Sequence, residues 1–434
     1  MNGWPAMGGV RSLLRFRRIF YYVILLAAIV AALVGSRLTY VLGILIFVVA
    51  LLISVILHEL GHFLTAKKFG MRATEFFVGF GSTLWSTRKG ETEYGFKVLP
   101  FGAFVKITGM TTMDQVDPAD EPRAMRNKPR WQRAIVMVAG SFMHFVLALV
   151  LLLFLALAIG QINTSSTAIG AVTPCVAANV KALDQGSCKD SRGTSPAKLA
   201  GLKPGDTITA VAGKPVHTWT QAGDAIRAQP AGQPMTLTVQ RDGRTLTLHL
   251  TPSSVPGRQG SYLGIIQAQV FQRYSPAGAV SYAGTAFGQI VVGSAEAVGR
   301  VPSEVTQLFN RNNKASSGGV VGVVGVAQVA GQATEYGGGW QYSVFDLLQI
   351  IISVNIFLGL VNLLPLLPLD GGHLFMLGYE QVRAWLARLR GRPDPGVADL
   401  QPLVPVSAAV FVVLIGFSVL LIAANLYNPI HVIQ

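Results

Sequence analysis

The pentapeptide His58-Glu59-Leu60-Gly61-His62 carries more chemical potential than any other stretch of the chain. Two histidines four residues apart stack on one face of a helix, about one turn from each other, and that spacing lets two imidazoles meet one zinc ion. Glu59 projects beside them, where a carboxylate takes a proton from a water that the metal has acidified. The pentapeptide lies near the end of an apolar run over residues 40–66. In a soluble helix, a chance pair of helix-end histidines is a reasonable account. In hydrocarbon, two histidines and a glutamate are costly unless they are used, so the membrane setting favours a site.

A catalytic zinc ion takes three protein ligands and keeps its fourth position for water, so a third ligand is required. Asp370 is the strongest candidate. It ends the apolar run 344–367 within Pro365-Leu366-Leu367-Pro368-Leu369-Asp370-Gly371, and Gly371 and Gly372 permit close backbone approach. The competing account is an ordinary helix-terminal aspartate at the interface. His144 and His373 are weaker candidates for a ligand or for an outer hydrogen-bond partner.

These residues need elements to hold them, and the composition says which kind. The 434 residues are 51% hydrophobic and only 13% charged, with mean hydropathy +0.47, too little charge for a soluble surface. Five apolar runs are long enough to span hydrocarbon: residues 19–35, 40–66, 134–160, 344–367 and 403–426. The formal net charge of +14 does not call for a nucleic-acid partner, because the Lys and Arg residues flank apolar runs. Under a five-helix reading, Arg11, Arg15, Arg17 and Arg18, segment 67–133 and segment 379–399 share one side, which is cytoplasmic by its basic excess. Segment 161–342 and the C-terminal tail share the other. The first run also reads as a cleaved signal peptide, which would reorient nothing after it. Residues 277–298 read as an amphipathic helix on the outer membrane surface, since a sixth span there would carry Asp370 to the face opposite His62.

Two further segments bear on function. An extended segment in an apolar setting needs backbone partners, and a sheet edge supplies them. Residues 93–98 and 104–107, on either side of Pro100-Phe101-Gly102, read as a hairpin. Residues 161–272 are soluble in composition. They contain Ser195-Pro196 leading through Gly205-Asp206 into a strand at 207–211, and strands 235–240 and 245–250 joined at Asp242-Gly243. Tyr262-Leu263-Gly264-Ile265 reads either as a carboxylate-binding edge or as a closing strand. Cys175 and Cys188 fit neither a zinc knuckle nor a CxxC motif. A local disulfide is the natural pairing if this segment is extracytoplasmic, and the sequence leaves that open.

With HELGHFLTAKKFGM, FFVGFGSTLWSTRKGETEYGFKVLPFGAFVKITGM and NLLPLLPLDGGH in view, the chain resembles the site-2 protease family of intramembrane zinc metalloproteases, in the single-PDZ form found in actinobacteria. The resemblance runs from about Val41 to the C-terminus. It implies that His58, His62 and Asp370 bind one zinc ion and that Glu59 is the catalytic base. It also implies that Asn362, with Phe96, Val98, Gly102 and Phe104 of the hairpin, holds the substrate strand. The implied substrates are single-span membrane proteins, such as anti-sigma factors and remnant signal peptides, already trimmed by a first protease. The implied setting is the bilayer of a bacterial plasma membrane, with the active site toward the cytoplasm. A PDZ-like domain outside then binds a peptide or adaptor, or filters out bulky ectodomains. Two departures stand out: the second proline is shifted to Pro368, and Gly140-Ser141 with His144 replaces a Gly-Pro followed by Asn.

The expected fold is a polytopic α-helical membrane protein of about five transmembrane helices, with a membrane-associated β-hairpin and one extracytoplasmic PDZ-like α+β domain. The expected division is an N-terminal segment and first helix (1–39), a first half of the protease core (40–160), the PDZ-like domain (161–272) and an amphipathic connector (273–343). A fourth helix with its Asp370 motif (344–378) and a basic segment with the fifth helix (379–434) complete it. Two other readings compete. A metal transporter needs more polar residues along its helices than the sequence contains. An inactive PDZ scaffold has no use for Glu59, which zinc binding alone does not need.

Overall fold

A computed structural model of the chain describes residues 38–111, 114–163, 166–184, 188–268, 270–304, 322–335, 340–399 and 401–427. The first expected span, residues 19–35, lies outside them. The described residues divide into two compact units, one within Met1–Leu155 and Ala277–Val432, the other within Ala156–Pro276.

The chain enters the first unit with helix α1 (Leu38–Lys68), followed by strands β1 (Ala73–Lys89) and β2 (Thr92–Ile107) and helix α2 (Arg130–Phe154). Near the middle of α2 the two helices touch backbone to backbone. A Cβ on Gly61 would lie 2.5 Å from the Ala139 carbonyl oxygen, so only glycine allows this approach. The β segment departs from a simple hairpin. Residues 93–98 and 104–107 do not pair with each other as expected. Residues 83–89 pair with 92–97, and residues 75–78 lie between 93–96 on one side and 103–106 on the other. The two long strands thus fold over into four segments, and Gly79 and Gly102, both at positive φ, allow the bends. The inner face of this sheet packs on α1: the Phe63 ring meets Phe76 at 5.5 Å and Tyr94 at 5.9 Å. At the turn, Glu91 bridges Lys67 and Arg123, and the Arg123 guanidinium holds the Glu91 carboxyl down to about 2. That stabilisation is present above the ordinary carboxylate range and is lost as pH falls through about 2.

The second unit begins with β3 (Gln161–Ile162), β4 (Ile169–Val172) and the short helices α3 (Val180–Asp184) and α4 (Pro196–Leu199). Strands β5 (Thr207–Val211) and β6 (Lys214–Pro215), helix α5 (Trp219–Arg227), β7 (Met235–Arg241), β8 (Arg244–Leu250), β9 (Ile265–Gln267) and β10 (Phe271–Gln272) follow. A four-stranded sheet of order β6-β5-β7-β8 covers a core that includes Ile169, Ile208, Val211, Leu237 and Val239. Asp242 and Gly243 both sit at positive φ in the turn between β7 and β8, which is the conformation an Asp-Gly pair favours. Cys175 and Cys188 are disulfide-bonded.

The chain returns to the first unit with α6 (Pro276–Glu304), α7 (Val323–Glu335), α8 (Trp340–Asn362), α9 (Asp370–Leu389) and α10 (Val404–Tyr427). Four helical stretches among the described residues are long and apolar enough to cross a membrane: Leu38–Lys68, Arg130–Ile159, Trp340–Asn362 and Gln401–Asn425. Two boundaries differ from the sequence reading. Among the described residues, the segment read as one connector, 273–343, holds α6, α7 and the start of α8, and α7 packs into the bundle. A Cβ on Gly43 of α1 would lie 2.4 Å from the Ala330 carbonyl oxygen of α7, and Phe47, Ala330 and Leu347 are buried together. Gly43 and Ala330 let the backbones approach, and larger apolar residues such as Phe47, Val326 and Leu347 fill the space around them. The fourth span stops at Asn362, ahead of Pro365, and Asp370 opens a new helix instead of ending the old one.

Helix α9 is clamped to α2 by charge. Buried Arg133 meets Glu380 at 2.8 and 3.3 Å, the Ala398 amide donates to the same carboxylate at 3.0 Å, and Arg130 grips Asp394 at 2.7 and 2.9 Å. Removing one member of a buried pair strands the other charge, at a cost of about 3–5 kcal/mol. Glu380→Ala is therefore expected to destabilise the protein by about that amount in denaturant unfolding in detergent. Replacing Arg133 and Glu380 together by leucine is expected to recover most of the loss.

Candidate metal centre

Helix α1 supplies His58 and His62, and the first turn of α9 supplies Asp370. His58 Nε2 lies 3.0 Å from His62 Nε2, and Asp370 Oδ2 lies 3.2 and 3.3 Å from those two nitrogens. A tetrahedral ion with ligand bonds of about 2.0–2.1 Å has ligands about 3.3 Å apart, so this near-equilateral triangle has the dimensions of one face of a zinc site. Asp370 Oδ2 is buried and has no hydrogen-bond donor, and His58 Nδ1 is buried without a partner. A cation accounts for the orphaned carboxylate oxygen better than any protein group nearby. The Val136 carbonyl oxygen accepts a hydrogen bond from His62 Nδ1 at 2.7 Å, which leaves the Nε2 lone pair bare toward the triangle.

The surroundings are shaped for this arrangement. A Cβ on Gly140 of α2 would lie 2.3 Å from His62 Nε2 and 2.7 Å from His58 Nε2, so the glycine keeps open the space over the two imidazoles. A Cβ on Gly371 would meet the Leu364 carbonyl oxygen at 2.2 Å, which explains the glycine beside Asp370. The loop after Asn362 folds back on the start of α9, and Asp370 lies at a helix N-terminus, where a negative charge is favoured.

Glu59 stands next to the triangle, and its Oε2 accepts a hydrogen bond from the Val105 backbone N–H at 3.0 Å. Val105 belongs to the segment 103–106, which pairs with 75–78 on one side and has no second strand partner among the described residues. The open edge of the sheet therefore runs past the Glu59 carboxylate. Of the residues expected to meet substrate, Phe96 and Val98 are about half exposed on the outward part of the sheet. Phe104 stacks with Phe77 and Phe80, at 5.8 and 6.0 Å, and a Cβ on Gly102 would lie 2.9 Å from the Phe80 ring. Those two are committed to packing within the sheet. Asn362, half-buried, is the last residue of α8.

Of the two weaker histidine candidates, neither joins the triangle. His373 lines a cavity with Arg133, Met137 and Glu380. His144 is buried with its ring 5.1 Å from that of His58, and its Nδ1 lies 3.0 Å from Asn355 Oδ1. Asn355 was missed by the sequence reading. The available signal was a lone amide deep in the apolar run 344–367, where a polar group needs a partner.

Residues 46–392 match the model of peptidase family M50. The chain is 34% identical over 416 residues to the zinc metalloprotease Rip1 of Mycobacterium tuberculosis (strain Erdman), covering 91% of this chain and 100% of that protein. It is likewise 34% identical over 416 residues to the zinc metalloprotease Rip1 of Mycolicibacterium smegmatis, covering 91% of this chain and 99% of the other.

The Gly140 contact gives a test of the triangle. Gly140→Ala is expected to weaken zinc binding roughly ten- to hundredfold, the effect of about 1–3 kcal/mol of overpacking. Competition with a chelator, followed by metal analysis of the purified protein, measures it. Asp370→Ala should lose zinc with no overpacking at all. Unchanged metal content in both variants would refute this ligand set.

Proposed function

The chain belongs to peptidase family M50 and is a membrane-embedded zinc metalloendopeptidase; on that premise we propose that it cleaves the transmembrane segments of single-span proteins, with His58, His62 and Asp370 as zinc ligands and Glu59 as the base. The observation that carries this reading is the triangle of ligand atoms with Glu59 at its side and an open strand edge beside it. When bound, zinc supplies Lewis acidity and stabilises negative charge at the scissile carbonyl. Glu59 takes a proton from the attacking water and returns it to the leaving amine, so no serine or cysteine nucleophile is needed.

The sheet edge gives the substrate its place. An unwound segment in hydrocarbon has to satisfy its own N–H and C=O groups. Added as a strand along residues 103–106, it puts a carbonyl on the Val105 N–H and leaves the Glu59 carboxylate free for proton transfer. Val98, Leu99, Phe80, Phe96 and Phe101 are exposed apolar residues on this sheet, and such a surface suits lipid or an apolar substrate. Asn362, at the end of α8, is the side-chain donor proposed for the same strand.

The disulfide between Cys175 and Cys188 supports an oxidising, extracytoplasmic location for the second unit, and the basic segments support a cytoplasmic location for the metal site. That unit is proposed to be PDZ-like. A groove lined by Trp219, Ile226, Arg227, Arg258, Tyr262 and Leu263 runs between α5 and the segment before β9, and its two arginines suit a peptide carboxylate. Membrane-anchored anti-sigma factors and remnant signal peptides are the substrate classes proposed.

Glu59→Gln is expected to lower cleavage of a model single-span substrate in liposomes by roughly 10²–10⁴-fold while zinc content is kept. Cleavage at the wild-type rate would rule out the protease chemistry assigned to this site.

A further inference from the structure

The buried pair His144 and Asn355 has no part in the chemistry above, yet it borders the metal site. Both side chains are almost fully buried, at 2% and 1% exposure, within helices that pack in an apolar bundle. Their orientation is settled by a second bond. The Asn355 amide nitrogen donates to the Ile351 carbonyl oxygen at 2.8 Å, so the amide oxygen faces His144 and accepts from its Nδ1–H at 3.0 Å. In the neutral imidazole the other nitrogen, Nε2, then carries a bare lone pair.

The position of this lone pair matters because of what lies one turn away. His144 follows Gly140 by four residues on α2, so the two share a face. Gly140 is the residue whose missing side chain leaves room for His58 and His62, and the His144 ring is 5.1 Å from that of His58. His144 is outside the ligand triangle, but its ring packs beside that of His58 from α2, and Glu59 follows His58 on α1. With its ring beside that of His58, His144 has a bare lone pair that can accept a water hydrogen.

We propose that His144, held in this tautomer by Asn355, is a further catalytic residue that accepts a hydrogen bond from the attacking water and orients it for Glu59. The inference rests on the protease reading above. His144 takes no proton in this role. It fixes one hydrogen of the water so that the other points to the Glu59 carboxylate and the oxygen lone pair points to the scissile carbonyl. The alternative is a polar tie between α2 and α8 with no contact to reacting atoms.

Kinetics on purified full-length protein with a single-span substrate in liposomes separate the two. His144→Phe is expected to lower kcat roughly 10- to 100-fold, with KM and zinc content within about twofold of wild type. Asn355→Leu should lower kcat in the same way but less, and the double variant should be no slower than His144→Phe alone. Asn355→Gln, which keeps a neutral amide acceptor for Nδ1–H, should retain more of the wild-type kcat than Asn355→Leu. Nitrogen NMR of protein labelled at histidine should report a neutral Nδ1–H tautomer for His144 in wild type and its loss in Asn355→Leu. Wild-type kcat in His144→Phe overturns the proposal, and so does a loss of kcat wholly explained by lost zinc. If His144→Phe does not fold, wild-type kcat in Asn355→Leu overturns it instead. Failure of the protease reading shows separately, as undiminished cleavage by Glu59→Gln.

Discussion

The close approach of α1 and α2 is the contact on which the rest of the site depends. Two residues without side chains, Gly61 and Gly140, let the helices meet backbone to backbone. That approach brings the Val136 carbonyl within 2.7 Å of His62 and so selects its tautomer. It also brings His144 beside His58. Hydrocarbon offers no polar substitutes for these partners, so His62 finds its acceptor on α2 and His144 finds its acceptor on α8. The geometry of the metal centre is in this sense a by-product of how tightly two helices can be pressed together.

The sheet is attached to this pair of helices rather than to the bundle at large. Phe63, one residue after His62, packs against Phe76 and Tyr94. Glu91 ties the turn between β1 and β2 to the end of α1 through Lys67. The strand edge and the Glu59 carboxylate are therefore referenced to the same helix. Asp370 reaches the site by another route, from a helix fixed by Arg133 and Glu380 through the start of α2.

Much of the site was legible in the sequence because its signals are local or costly. The spacing of His58 and His62 is a local geometric fact, and an acidic residue beside an apolar run, as at Asp370, demands a reason in a membrane. Strands 235–241 and 244–250 were legible for the same local reason, through Asp242-Gly243. What could not be read depends on contacts between distant segments. The doubled pairing of residues 75–78 needs two partners, and periodicity shows only alternation. Helix α7 meets the backbone of α1 at a small residue, Ala330, so nothing in its pattern says that α1 lies against it. Asn355 gained meaning only once α8 had been placed beside α2. Asp370 was assigned to the wrong end of a helix because the break after Asn362 was read as the end of a span and not as the start of another helix.

The hydrogen bond from Val105 to Glu59 is made by the main chain. Any residue other than proline can supply that N–H, so residue 105 can change its side chain without changing what it offers to the carboxylate. The alignment of this edge with Glu59 is thereby set by the main chain, even where a side chain such as Phe104 is committed to packing. On the proposed reading, substrate preference can drift at the exposed Phe96 and Val98 while the alignment of this edge with Glu59 is inherited unchanged.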